Sequence, residues 1–451
     1  MDGQDISAGR PLEDALAAET PSIRASGRSP LAERILGAIR SAISTVGAKY
    51  IWVVGATFVV SLLSMVGGIL VARTLGPSGR GAVSGAVLVS QVAVWTLTLG
   101  MARGNTFYLN HQVVGADRKS VLLVNSLLYS LVTGLVAGAL IAHLYFASLL
   151  GHVAIYVITA LVTAMLAGDF INNLLLASHD YRAYGTKRFV ETLAYVTLLL
   201  LLAAFGRLTP TGSLAALLAS CVGANIVGGV FLSGRGFKFS YRPDRHAFSM
   251  VASYGLRSQI SDAPRFLSQF LPQLVILPLL GIGAYGLYSV ALSLAGLTQM
   301  LSGPISSVFL SEWAGKPIDE VKRRAAAGAW RLLCILAVIT AVQLIAADPL
   351  IRALYGRSFA TSVPIARVLS VWFMIGGLNQ FLQHTNLAAG TPLRAAFASI
   401  VGLVVGLAGI AALARTYGAL GIAYACVAAS AVECALLASG LGLLPTKQRP
   451  V

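Results

Sequence analysis

Charge is the scarcest commodity in this sequence. Only 11 % of the 451 residues are Asp, Glu, Lys or Arg, against 57 % hydrophobic, and so few charges cannot coat a water-soluble surface of this size. Acidic residues are rarest, 17 against 33 Lys and Arg. Cysteine is nearly absent: Cys221, Cys334, Cys426 and Cys434 stand singly inside apolar runs, which excludes a disulfide framework or a cysteine zinc site. No HExxH, GxSxG or nucleotide phosphate-loop pattern occurs, so the common hydrolytic and ATP-driven routes find no support. His143 and His384 lie in apolar runs without a second ligand at metal-binding spacing, so they read as packing residues; neither metal nor cofactor is expected.

What the chain has in quantity is long apolar runs. Runs of about 20 apolar residues match the length a helix needs to cross a bilayer, and twelve occur, near 50–72, 81–102, 120–146, 152–177, 188–206, 212–233, 252–281, 284–312, 328–347, 363–389, 395–414 and 418–440. Backbone groups facing lipid must be paired internally, and the short alternation of a barrel strand is missing, so the expected class is an all-α integral membrane protein.

With the amino terminus placed in the cytoplasm, 23 Lys and Arg fall on the inner side and 6 on the outer. Arg257, Arg265, Arg331 and Arg367 lie within spans. That asymmetry predicts a multi-pass membrane protein with both termini cytoplasmic, and it makes the +16 formal charge a topology signal rather than a nucleic-acid surface. Five segments follow: a cytoplasmic tail, 1–47; a first six-helix bundle, 48–233; a basic and aromatic linker, 234–249; a second bundle, 250–444; and a short cytoplasmic tail, 445–451. Within the first tail Leu31, Ile35, Ile39, Ile43 and Val46 recur at helical spacing, as in a helix lying on the inner membrane face; a plain solvated tail is the other reading.

An internal repeat supports the two bundles. Leu75, Gly76, Gly81, Ser84 and Ala86 share their spacing with Leu280, Gly281, Gly286, Ser289 and Ala291, an offset of 205 residues. A weaker echo sets Asn172 and Asn173 against Asn379 and Gln380 at an offset of 207. Six spans per half is an even number, so both halves enter from the same side, as parallel repeats related by an axis along the membrane normal.

The stretch Gly67 to Ala86, GGILVARTLGPSGRGAVSGA, resembles the junction of the first two spans in bacterial lipid-linked oligosaccharide flippases, the polysaccharide transporters of the MOP exporter superfamily. GLYSVALS from Gly286, LYGRSF from Leu354 and LAAGTP from Leu387 are similar to that family's second half, in the same order. The resemblance spans about Lys49 to Leu444. It implies a V-shaped pair of six-helix bundles around a central cavity. The implied activity is translocation of an undecaprenyl-pyrophosphate-linked oligosaccharide from inner to outer leaflet for surface polysaccharide (lipopolysaccharide or exopolysaccharide) biosynthesis, with H+ or Na+ and other assembly proteins as further partners. The chain is then a transporter of the bacterial inner membrane, not an enzyme.

Such a substrate calls for a wet, cationic hollow, because pyrophosphate and glycan cannot enter hydrocarbon. Span seven holds the candidates. Arg257, Ser261 and Arg265 share one helical face, Asp262 is placed to pair with Arg265, and Pro264 and Pro272 offer bending points. Arg257 and Arg265 are expected to meet phosphate oxygens with their forked guanidinium groups, held by Asp262. The alternative makes Arg257 a headgroup anchor and Asp262–Arg265 a structural pair. Asp169 with Asn172 and Asn173 suits a coupling ion, although a polar packing cluster between spans is the favoured reading. Arg103, Arg331 and the Lys187–Glu191 pair read as boundary groups, and Glu433 shows no partner.

Two rival functions follow from the same plan. A multidrug or organic-cation antiporter of the superfamily usually has an acidic residue in its first span, whereas Ile51 to Ala72 holds no ionisable side chain. A glycan polymerase or ligase needs an outer catalytic platform, and the expected outer loops are short.

Overall fold

The computed structural model describes residues 48–110, 118–150, 152–239, 242–299, 302 and 318–441. The amphipathic stretch from Leu31 to Val46 and the 445–451 tail lie outside the described residues. The chain divides into a first compact unit, Met1–Ile51, and a second, Trp52–Val451; the fold below is that of the second.

Among the described residues the secondary structure is helical, without strands. The helices are α1 (Ala48–Leu97), α2 (Met101–Asn110), α3 (Arg118–Leu150), α4 (His152–Ala177), α5 (Tyr181–Ala204), α6 (Pro210–Gly234), α7 (Arg245–Ala295), α8 (Ile318–Tyr355), α9 (Ser362–Ala388) and α10 (Pro392–Gly440). Three are broken by glycines at positive φ: Gly76 (67°) in α1, Gly281 (84°) in α7 and Gly418 (58°) in α10. A side chain is disfavoured in that backbone region, so each glycine lets one span reverse into the next without a loop. The pieces are α1a (48–75) and α1b (77–97), α7a (245–280) and α7b (282–295), and α10a (392–417) and α10b (419–440). With α2 continuing α1b, twelve helical segments result among the described residues, six in each half.

Eight of the helices as drawn are long and apolar enough to cross a membrane. Alone among the long helices, α5 misses that test because Arg182, Lys187, Arg188 and Glu191 crowd its first half. The lipid-facing surface is visible directly. Val132, Val136, Leu140 and Leu144 on α3, and Val338, Val342 and Ile345 on α8, recur three to four apart and are exposed, Ile345 by 79 %. Stripes of this kind would be a liability in water and are what hydrocarbon accepts. Inside, one apolar cluster runs through α1b, α3, α4 and α6 and another through α7, α8, α9 and α10, each taking a few residues from the opposite half.

The repeat is realised as contact. A β-carbon on Gly81 would collide with the carbonyl oxygen of Ile282, and one on Gly286 with that of Pro77. Pro77 and Ile282 are themselves 205 apart, so the two copies meet through equivalent atoms, as a two-fold relation between parallel halves requires. At this end Arg73 also donates through Nε to the carbonyl of Leu354 at 2.7 Å and through Nη2 to that of Ala353.

The halves also touch at the opposite end. Gly100 and Gly255 meet backbone to backbone. Phe107 stacks on Tyr254 with centroids 4.2 Å apart, and Asn125 exchanges hydrogen bonds with the backbone of Asp244 at 2.8 and 3.1 Å. Between the ends Trp95 stacks on Phe266 at 3.8 Å.

Candidate functional site

Among the described residues, three hollows with polar side chains in their lining lie within this frame. The first, of about 300 Å³, sits in the first half and is lined by Gln91, Thr98, Asp169, Asn172, Lys187 and Glu191, among others. Lys187 has a side chain 1 % exposed and meets Glu191 at 3.6 Å. Its stem lies against Gly228, where a β-carbon would leave no room for it. The thiol of Cys221 donates to Glu191 Oε1 at 3.3 Å, and Asn225 donates to the carbonyl of Ala164 at 2.7 Å. The spacing that read as a boundary salt bridge therefore belongs to a lysine buried inside the bundle. One turn of α5 carries both partners inward, because a buried ammonium must keep a carboxylate within reach.

A second hollow, of about 230 Å³, adjoins the first and lies where α1b and α2 face α7a. It is lined by Trp95, Thr98, Arg103, Asp169, Asn173, Gln259 and Asp262, so Trp95, Thr98 and Asp169 border both spaces. Here the sequence expectation needs correction. Asp262 pairs with Arg103 of the first half, not with Arg265; Arg103 also donates to the Ser258 hydroxyl at 3.1 Å. Helical spacing put Arg265 within reach of Asp262, but α7a turns the carboxylate toward the other half, where α2 offers a guanidinium. Arg103 is accordingly a cross-half ion-pair partner rather than a headgroup anchor.

The third hollow, of about 120 Å³, is in the second half, lined by Arg265, Pro272, Gln299, Asn379, Gln380, Gln383 and Glu433, among others. Glu433 accepts hydrogen bonds from Ser399 Oγ (2.7 Å), Gln383 Nε2 (2.8 Å) and Asn379 Nδ2 (3.3 Å). Sequence showed no partner for Glu433 because all three come from α9 and α10a, at least 34 positions away. The weak asparagine echo has a spatial meaning: Asn172 and Asn379 each border a polar hollow of their own half.

Both proposed phosphate ligands are exposed; Arg265 borders the second-half hollow and has no ion pair among the described residues, whereas Arg257 borders none of the three spaces. The carboxylate of Asp169 has neither hydrogen bond nor ion pair among the described residues; Asn173 donates instead to its backbone carbonyl at 2.8 Å. Asn172 Oδ1 is buried without a hydrogen-bond partner. Pro264 and Pro272 sit within continuous helix, and the sharp dihedral break of α7 falls at Gly281.

Chemically, the three spaces offer amides, carboxylates and three cations, Lys187, Arg103 and Arg265, the setting for binding and moving a polar group. Comparison with curated proteins gives no match. Among solved structures, the chain is similar to the lipid II flippase MurJ in an inward closed conformation, with a TM-score of 0.73 and 13 % identity over 87 % of each chain. It is also similar to an inward-facing multidrug resistance MATE family transporter of the MOP superfamily, with a TM-score of 0.67 and 16 % identity over 86 % of this chain and 96 % of that one. A MOP superfamily transporter from Pyrococcus furiosus aligns at a TM-score of 0.60 and 14 % identity, over 88 % and 95 %. At these identities the likeness is one of fold. The family model described as "Polysaccharide biosynthesis protein" matches residues 46–310, more than half of the chain, and this places the protein in that family.

Proposed function

We propose that the protein is a flippase carrying a polyprenyl-pyrophosphate-linked oligosaccharide, with undecaprenyl as the lipid, from the inner to the outer leaflet of a bacterial inner membrane. Both termini are cytoplasmic in this reading, which follows the inner-side excess of Lys and Arg. The 48–233 and 250–444 bundles move against one another, linked by 234–249.

The observation that carries the reading is Arg265. A guanidinium at membrane depth without a counter-charge costs at least ~3 kcal/mol unless it is wet or occupied, and Arg265 borders a polar hollow with no ion pair among the described residues. An anionic headgroup supplies the missing charge, the forked guanidinium meets phosphate oxygens, and the polyprenyl tail stays in lipid. Arg257 takes the headgroup at the membrane surface, and Pro264 and Pro272 soften α7a between the two sites.

The test is deletion of the gene followed by analysis of lipid-linked intermediates in each leaflet. Undecaprenyl-linked repeat units should accumulate facing the cytoplasm; wild-type protein should clear them and Arg265→Glu should not. Clearance by Arg265→Glu would remove this residue from the mechanism, and a deletion strain with unchanged intermediates would end the flippase reading. The superfamily's cation antiport is the second reading, favoured by the carboxylates of Asp169 and Glu433 at two of the hollows. It predicts drug sensitivity in the deletion strain with surface glycan intact.

A further inference from the structure

The second-half hollow is bordered by unmatched hydrogen-bonding groups of both kinds. Asn379 is only 4 % exposed. Its amide nitrogen donates to the carbonyl of Ser430 at 3.0 Å and to Glu433 Oε2 at 3.3 Å, while its Oδ1 is buried without a hydrogen-bond partner. One residue on, Gln380 Oε1 is buried and unmatched in the same way. Both side chains border the hollow, and at its edge stands Arg265, a donor only, with neither hydrogen bond nor ion pair among the described residues. A buried acceptor left unmade is costly, so this space calls for an occupant that answers acceptors and donor together.

The chemistry of that occupant follows by elimination. A cation would satisfy the two amide oxygens, but the carboxylate is already engaged. Glu433 Oε1 accepts from Ser399 at 2.7 Å and from Gln383 at 2.8 Å, and Oε2 accepts from Asn379. Arg265 at the same rim repels a cation. An anion would satisfy Arg265 alone and face Glu433 and two amide oxygens inside. An apolar ligand satisfies none of them. A hydroxyl both gives and takes a hydrogen bond, and a group carrying several hydroxyls reaches both kinds at once.

The walls suit a ring. Trp372 and Phe373, with centroids 4.8 Å apart, supply an apolar face, and Gly376, Gly402 and Gly406 leave backbone open to a close approach. Gly376 stands 207 positions after Asp169. Where the first half carries a carboxylate, the second carries no side chain, and a β-carbon there would meet nothing within 4 Å. Aromatic walls with a few convergent polar groups are the usual make-up of a small-molecule site.

We propose that the second-half hollow is a saccharide subsite, which takes one neutral sugar ring of the transported glycan. Sugar hydroxyls donate to Asn379 Oδ1 and Gln380 Oε1, and the carbon-bound face of the ring lies on Trp372 and Phe373. Arg265 carries five N–H groups, enough to reach a sugar oxygen with one edge of its fork and the phosphate beside it with the other. The proposal rests on the oligosaccharide reading above, and it assigns recognition of the sugar to the neutral amides of one half.

The experiment uses the full-length chain in lipid nanodiscs and a soluble probe, the repeat-unit oligosaccharide cut from the strain's own surface polysaccharide and freed of lipid and phosphate. Saturation-transfer NMR reads its contact with the protein, and titration gives an apparent Kd. Wild type should saturate the protons of one sugar more strongly than those of the others. Gln380→Leu should raise the apparent Kd about tenfold, the scale of one or two hydrogen bonds. Gly376→Leu, which fills the space, should abolish the signal.

No transfer in wild type would mean that the hollow holds water only, and the same Kd for wild type and Gln380→Leu would place the sugar elsewhere; either overturns the proposal. Displacement of the saccharide by sodium or by tetraphenylphosphonium would make the hollow a cation site and overturn it too. Should Gln380→Leu fail to fold, Gly376→Leu decides alone, since it adds a side chain to open space and removes no polar group; unaltered binding there rejects the subsite. The probe carries neither lipid nor phosphate, so this result and the leaflet analysis above are separate. A probe that does not bind ends the subsite and leaves the flippase reading standing, whereas unchanged intermediates in the deletion strain end the flippase reading whatever the probe does.

Discussion

The two halves solve the same problem, a carboxylate held within a six-helix bundle, by different means. In the first half Glu191 on α5 is matched by a buried lysine, and the network extends through Asp169 to the seam. In the second half Glu433 on α10b is surrounded by three neutral donors, while the cation, Arg265, stands apart at the edge of the same hollow. Glu191 and Ser399 are 208 positions apart, as are Asn225 and Glu433. In the first half the carboxylate therefore lies on the fifth span and the amide on the sixth. In the second half the hydroxyl lies on the eleventh span and the carboxylate on the twelfth. The two halves share the location of polarity but not its charge. A cation locked into a bundle is structural, whereas one left without a counter-charge is available to a ligand.

The largest effect that would sharpen this contrast is expected at Lys187. Lys187→Met strands Glu191 and should cost about 3 kcal/mol of stability, seen as a fall in thermal midpoint in lipid or detergent; adding Glu191→Leu should return most of the loss. Arg265→Met should leave the midpoint unchanged or raised while abolishing clearance of lipid-linked intermediates. Equal losses for the two methionine variants would erase the distinction between locked and available cations.

Glu433→Leu comes next. Leaving the donors of Asn379, Gln383 and Ser399 without their acceptor should cost about 2 kcal/mol, and Glu433→Gln, which keeps an acceptor oxygen, about half of that. A glutamine variant worse than the leucine one would show that the carboxylate's charge, not its hydrogen bonds, stabilises the second half. The smallest effects belong to single interhelical amides: Asn225→Ala and Asn379→Ala should each lower stability by about 0.6 kcal/mol. Being in different halves, they should add in the double variant; marked non-additivity would mean that the two clusters communicate.

Most of the fold was legible because hydrocarbon dictates it. Twelve apolar runs, the loop cations and the 205-residue repeat follow from constraints that act along the chain, and span limits such as 152–177 recur unchanged in α4. The candidate site was legible only where its signal was local. Arg265 stood out because it lies far along a span just before a continuous apolar run, and Asp169 because it interrupts one. Arg103 and Lys187 were read as boundary groups because each lies near the end of an apolar run. Only packing shows that the lysine points into the bundle and that the arginine spans the seam. Asp262 was assigned its neighbour along the helix, and tertiary geometry gave it a partner 159 positions earlier. The donors to Glu433 come from separate spans, a relation that no spacing within one helix encodes.

The seam between Gly81 and Gly286 has a historical consequence. Its contacts are reciprocal, each glycine facing the carbonyl that corresponds to the one its counterpart faces. A six-helix ancestor joined to a copy of itself would have set one glycine on its own symmetry mate at that spot. Fusion of two such genes turns a subunit boundary into an internal one and frees every position off the axis to diverge, as the carboxylates have. At the axis, either glycine acquiring a side chain blocks the approach of both.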